Sequence, residues 1–273
     1  MTTTLYLSPR WGDAVLSCAG GICARRGSNT RVVVCTVFAR TGDDDLDRSC
    51  ADEDDTLHAY GIDTLTLDFT AAPARLPEPG YLTSLEAAVD DALADELRKT
   101  LATVIARVQP DEVWLPLAIG GDVDHRAVFA TRDVFDQPRF YEDRPYAFVP
   151  SLRALRMVEL IGGRAKSANA TAIERELADH GCAMVAPLEA RHDIARELAR
   201  RLGEPHAGEV RALETTVHRH ATDALPPACK LISGYATRVR ELFGQLSVTE
   251  LWTQLAADSA GWMEREIRLV PRD

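Results

Sequence analysis

Four short apolar runs, residues 4–8, 31–39, 63–69 and 112–117, each too brief for a helix, are separated by stretches of helical length. Runs of that kind predict a parallel sheet covered by helices. The helical stretches are read at 13–26, near 53–60 and from about 84 to 108. In the third, Leu85, Val89, Leu93, Leu97, Leu101 and Val104 recur at steps of three and four, the spacing of one buried helix face. Gly27 and Pro110 stand where the first and third helices should stop. The order β-α-β-α-β-α-β predicts an α/β, Rossmann-like, mostly parallel sheet flanked by helices. Its ligand site should lie beyond the carboxyl ends of the strands.

After about residue 150 the pattern turns mostly helical, with candidates at 171–180, 190–202, 229–243 and 248–257 and a returning strand at 262–270. No shift in composition marks a boundary, so residues 1–273 are read as one domain with a helical C-terminal part. The 46% apolar content supplies a core and excludes a disordered chain. A net charge of −11 without a basic stripe excludes a protein that grips nucleic-acid backbones. The chain lacks a basic leader with a following apolar run, and lacks an apolar stretch of about eighteen residues. A cytoplasmic protein without a membrane partner is expected. Cys18, Cys23, Cys35, Cys50, Cys182 and Cys229 show no Cys-x-x-Cys spacing and are read as free thiols of a reducing compartment, the first three buried. The acidic residues 43–47 are read as a solvated loop, and 52–55 as the start of the second helix. Residues 71–79, with three prolines, are read as a loop walling a pocket.

Dinucleotide, nucleotide-phosphate and serine-nucleophile signatures are absent: there is no Gly-x-Gly-x-x-Gly, no Walker loop and no Gly-x-Ser-x-Gly elbow. His218 and His220 would share one face of a strand, but without a third ligand a solvated segment is the preferred reading.

Three blocks carry a resemblance. They are Ser8-Pro9-Arg10-Trp11-Gly12-Asp13 at the end of the first strand, Gly120-Gly121-Asp122-Val123-Asp124-His125-Arg126 after the fourth, and Tyr141-Glu142-Asp143-Arg144-Pro145-Tyr146-Ala147. In this order they resemble the motifs of the PIG-L/LmbE family of zinc-dependent N-deacetylases, and Lys230 with Gly234-Tyr235-Ala236-Thr237 resembles a weaker fourth. The family's first block reads Ser-Pro-His-Pro-Asp-Asp, in which the His and the second Asp ligate zinc and the first Asp is the general base. A later His completes the metal site and another stabilises the oxyanion. By that resemblance the three ligand positions here are Arg10, Asp13 and His125, the base position is Gly12, and the oxyanion position is Asp122.

A guanidinium has no lone pair to give a cation, and glycine cannot take a proton. No metal is therefore expected, with Asp13 and His125 as vestigial ligands, and zinc enters only if the altered site still binds it. A positive charge at position 10 accompanies a negative one at 122, so Arg10, Asp13 and Asp122 are expected to form an ion-pair cluster. The candidate catalytic residues are Asp13, Asp122 and His125. The candidate substrate-binding residues are Arg10, Trp11, Tyr141 and Asp143, with packing as the competing role for Trp11. The resemblance implies a C–N hydrolase scaffold acting on a small polar or sugar-like metabolite in specialised biosynthesis, here by altered, metal-independent chemistry. Two alternatives stand beside it: a residual metal-dependent amide hydrolase, and a non-catalytic binding or partner-stabilising protein.

Overall fold

The computed structural model describes residues 1–78, 80–165, 169–180, 190–220, 225–243 and 262–271. Its strands are β1 (Thr2–Ser8), β2 (Thr30–Thr36), β3 (Asp63–Thr66), β4 (Glu112–Pro116), β5 (Arg139–Tyr141), β6 (Ala212–His220) and β7 (Trp262–Val270). They form one sheet in the order β3-β2-β1-β4-β5-β7-β6. The five strands from β3 to β5 run parallel, and β7 and β6 close the far edge antiparallel. This is the α/β sheet that the alternating apolar runs predict, and the chain reverses strand order beside β1 and β4. Loops leaving those two strands open a crevice at their carboxyl ends.

The helices are α1 (Asp13–Arg26), α2 (Asp44–Ala59), α3 (Ala72–Arg75), α4 (Tyr81–Glu86), α5 (Asp91–Val108), α6 (Val123–Phe129), α7 (Pro150–Ile161), α8 (Ala170–His180), α9 (Arg191–Gly203), α10 (Leu225–Ser233) and α11 (Ala236–Phe243). Several expectations are corrected. The acidic run is no loop: Asp43 accepts from the Asp45 and Leu46 amides at 2.9 and 3.1 Å and starts α2 a full turn and more before the expected point. The single helix read over 84–108 is two, because Ala87 is extended and the Asp90 side chain caps a new start at Leu93 N. Gly234 and Tyr235 likewise separate α10 from α11. The 71–79 loop contains the short helix α3, and the 212–220 segment is a strand. The helix read at 248–257 lies outside the described residues.

Residues 13–22 of α1 are buried on every side, so this is a core helix and not an amphipathic one. It is kinked at Cys18 (φ −128°, ψ 17°). The kink sits just before two amides served from outside the helix: Glu264 on β7 accepts from Gly20 N at 2.7 Å and Gly21 N at 2.8 Å. Cys18, Cys35 and Cys50 are buried free thiols, while Cys23 is only half-buried. Among the described residues no helix is long and apolar enough to cross a membrane.

Candidate functional site

The loop leaving β1 is held by its own short side chains. Ser8 Oγ donates to the Arg10 carbonyl at 2.6 Å and accepts from Ala14 N at 3.0 Å. Gly12 takes the left-handed conformation (φ 76°) that lets the strand turn directly into α1. Asp13 opens the helix, where the dipole favours a carboxylate, and its Oδ2 accepts from Arg10 N at 2.9 Å. This turn carries the Arg10 side chain into the crevice, where it is only 6% exposed.

The Arg10 guanidinium meets the second loop. Its Nη2 donates to Asp122 Oδ2 at 2.9 Å and to Tyr146 Oη at 3.1 Å, and its Nε is buried without a hydrogen-bond partner among the described residues. Burial works against the charge on Arg10, but Asp122, Tyr146 and Asp13 outweigh it and hold the guanidinium well above its ordinary pKa. The same balance reads from the other side. Burial would raise Asp122, yet Arg10, His125 and the Asp124 amide leave it below the usual carboxylate range. Asp122 also caps α6 through Asp124 N at 3.0 Å. The expected cluster is present in altered form: the guanidinium turns to Asp122, and Asp13 receives the Arg10 main-chain amide.

Behind this pair lies a line of three groups. His125 Nδ1 is 2.6 Å from Asp143 Oδ1, and its Nε2 is 3.1 Å from Asp13 Oδ2, an ion-pair distance at which the ring N–H is not aimed for a hydrogen bond. Asp143 also accepts from Ile119 N at 2.9 Å. Burial opposes charge on the imidazole, but the two carboxylates prevail and push His125 up to about 10. The imidazole is therefore cationic at neutral pH. Asp143 is lifted above the carboxylate range by burial, against its bonds to His125 and Ile119. Asp124, raised by burial and by Asp122, is held by Ala72 N and Arg75.

Arg10 and Asp122 line an open pocket of about 310 Å³. Tyr146 and Ser84 complete the polar side, and Ala72, Pro73, Leu76 and Tyr81 form an apolar wall. The proline-rich segment thus walls the pocket as its composition suggests. Tyr81 stacks on Tyr146 (centroids 6.1 Å, 21°) and donates to the Gly120 carbonyl. Gly120 has φ 90°, and a Cβ there would sit 2.4 Å from the Tyr146 ring. Gly120→Ala is expected to cost about 2 kcal/mol, from a disfavoured backbone and an overpacked ring. It should also loosen Tyr146 from Arg10. Urea unfolding measures the first effect, and an Ala variant as stable as the parent would refute it.

The remaining expected residues fall elsewhere. Trp11, read as a possible rim aromatic, is buried: its Nε1 donates to the Ala39 carbonyl at 2.8 Å and its ring packs with Ala39, Cys50 and Leu46. Tyr141 is also core, donating to the Leu7 carbonyl at 2.7 Å. Neither lines the pocket. Asp143 orients His125, and its neighbour Glu142 pairs with Arg153 and Arg265 (2.6 and 2.7 Å). His125 is not on the pocket lining, and it meets the ring of Tyr146, which is, edge-on at 5.3 Å. Tyr81 and Ser84 carry no motif in the sequence. Ser84 is recruited by its bond from Val123 N at 3.0 Å, which ties α4 to the second loop.

A catalytic zinc site offers three protein donors. Of the three positions assigned by resemblance, Asp13 and His125 are in mutual contact and the third is an arginine engaged with Asp122. Among the described residues no group of three or more His, Cys, Asp or Glu side chains is placed to hold a metal. The assigned positions thus supply two donors, one fewer than such a site offers.

The fold is shared with solved enzymes. A deacetylase of the teicoplanin biosynthesis pathway superposes with a TM-score of 0.65 at 21% identity, covering 100% of this chain and 99% of that one. The A40926 pseudoaglycone deacetylase Dbv21 gives 0.63 at 20%, covering 100% and 98%. GalB, the 4-carboxy-2-hydroxymuconate hydratase from Pseudomonas putida KT2440, gives 0.53 at 14%, covering 100% and 98%. No family model matches the chain, and no curated protein does. At these identities the likeness establishes the fold.

Proposed function

We propose that this chain, read as one unit over residues 1–273, is a PIG-L/LmbE-like protein whose zinc site has given way to an arginine–carboxylate pair. In this reading it binds a small polar or sugar-like metabolite of specialised biosynthesis against Arg10 and acts on it without a metal. The observation that carries the reading is Arg10 itself, buried and charged, on the lining of an open 310 Å³ pocket. A relic would have closed over its ion pair.

The chemistry follows from which groups reach the pocket. Arg10 offers fixed positive charge to a carboxylate, phosphate or carbonyl oxygen, the kind of preorganised donor that stabilises developing negative charge. Asp122 is the carboxylate on the lining, held ionised by Arg10, and it accepts a proton or hydrogen bond from a ligand hydroxyl or a water. Asp13, His125 and Asp143 hold the two loops in register from behind. The deacetylases and the hydratase that share this fold support a scaffold on which the reaction is set by the loops and not by the sheet.

The purified protein is expected to carry no stoichiometric zinc, and Arg10→His alone is not expected to restore deacetylation, because Gly12 still offers no base. Elemental analysis finding one tightly held zinc per chain would overturn the reading. It would favour instead an amide hydrolase that recruits metal through Asp13 and His125, which already approach to 3.1 Å. Against a panel of carboxylated and phosphorylated sugars, Arg10→Lys should weaken binding by roughly tenfold to a hundredfold, the value of a forked charged hydrogen bond. Equal binding by the Lys variant would remove Arg10 from recognition. Binding without turnover would assign the chain to the non-catalytic class.

A further inference from the structure

The Arg10 pocket is polar at its floor and apolar at its mouth. Arg10, Ser84, Asp122 and Tyr146 are each no more than 6% exposed, whereas Pro73 and Gly80 are exposed and Leu76 is half-buried. A ligand that enters head first meets the charged pair. Its body comes to rest against Ala72, Pro73, Leu76 and Gly80.

None of those four residues carries a polar side chain, and their main chain is largely engaged. Ala72 N donates to Asp124 Oδ2 at 2.8 Å, the Ala72 carbonyl accepts from Leu76 N at 2.9 Å, the Gly80 carbonyl accepts from Ser84 N at 3.1 Å, and Pro73 has no N–H. The wall is also fixed in place: Arg75 donates to the Thr70 carbonyl at 2.6 Å and to Asp124, and Ala71 N donates to the Arg40 carbonyl at 2.6 Å. Polar atoms on the floor are few. The Tyr81 hydroxyl donates to the Gly120 carbonyl, and Ser84 Oγ accepts from Val123 N at 3.0 Å. Arg10 Nη2 is taken by Asp122 and Tyr146 and Nε is enclosed, which leaves Nη1 as the guanidinium nitrogen for a ligand. One donor beside one carboxylate serves one small head group. A ring of sugar hydroxyls would leave water for a wall that cannot bond them, and each unpaired hydroxyl weighs against binding. A hydrocarbon gains from the same wall.

We infer that the Arg10 pocket takes a small carboxylate or carboxamide on a hydrocarbon body, with its head at Arg10 and Asp122 and its body on Pro73 and Leu76. This rests on Arg10 as the recognition group and narrows the metabolite to one that is polar at a single end.

Calorimetric titration of the full chain with two matched pairs tests it: cyclohexanecarboxylate against glucuronate, and cyclohexanecarboxamide against glucuronamide. Each pair shares its head on a six-membered ring and differs in the hydroxyls of the body. For whichever head binds, the cyclohexane compound should bind at least ~tenfold tighter. Saturation by the carboxylate assigns an anionic head, and by the carboxamide a neutral one. Leu76→Asn should weaken the cyclohexane ligand about tenfold and leave the pyranose no weaker. A pyranose that binds as tightly as its cyclohexane partner, with Arg10→Ala abolishing both, refutes the hydrocarbon body and leaves the Arg10 reading standing. An unchanged cyclohexane affinity in Leu76→Asn refutes it too. Failure of all four probes, or binding that Arg10→Ala does not weaken, removes the Arg10 reading and this inference with it. The comparison on the parent protein needs no variant, and a thermal melt checks that each variant folds.

Discussion

Asp122→Ala should destabilise the protein by about 3 kcal/mol, because it strands a buried guanidinium. The two side chains are 7% and 5% exposed, so solvent cannot take over the role of the lost carboxylate as it does at a surface pair. Arg10 cannot shed its charge, and among the described residues only Tyr146 Oη would remain as a side-chain hydrogen-bond partner for its Nη2. The change also removes the cap on α6, part of the same total. The reverse deletion should be milder. In Arg10→Ala the stranded group is a carboxylate, which can take up a proton and keeps its bond from Asp124 N. Urea unfolding of both variants and of the double variant measures the pair. A coupling energy near zero would refute an Arg10–Asp122 unit.

Deleting His125 should cost on the order of 4 kcal/mol at neutral pH, since it leaves Asp13 and Asp143 buried without the cation between them. The effect has a defined pH dependence. The imidazole is raised in the folded state from an ordinary value near ~6.5 to about 10. Protonation therefore favours the folded chain. That stabilisation is fully present below the unfolded value and is lost as pH rises through about 10. The stability gap between the parent and His125→Ala should accordingly be widest near pH 6 and narrow toward pH 10. A gap that stays constant over this range would show that His125 is neutral in the folded protein and acts by packing alone.

How much of this was legible in the sequence varies with how local the cause is. The first helix was read at its observed bounds, 13–26, because its apolar run is closed off by Gly27. The start of α2 was hidden because an acidic cluster signals both a solvated loop and a helix N-terminus, and the Asp43 cap decides between them. The break after α4 was hidden because Leu85, Val89 and Leu93 keep helical spacing straight across it. β5 spans only Arg139–Tyr141 and has no pattern to detect. β6 is a mostly exposed edge strand, and its polar residues resemble a loop. In the site, the Arg10–Asp122 pairing was readable as two opposite charges at two motif positions, although 112 residues separate them. The destination of Trp11 was not readable, since it depends on the Ala39 carbonyl arriving from another loop. Tyr81 and Ser84 reach the pocket by tertiary packing that no local pattern encodes.

The contact between Glu264 and the kinked α1 sets an order of assembly. The carboxylate and the Gly20 amide it serves are 244 residues apart. At about 5–20 residues per second, a ribosome releases that amide on the order of ten to fifty seconds before its acceptor exists. For that interval the helix opening with Asp13 carries two amides that its partner strand has yet to meet, beside a sheet still lacking its antiparallel edge. Closing so long a loop is also slow in itself. The helix behind the pocket is thus made well before the strand that completes it, and until then its Gly20 and Gly21 amides await their acceptor.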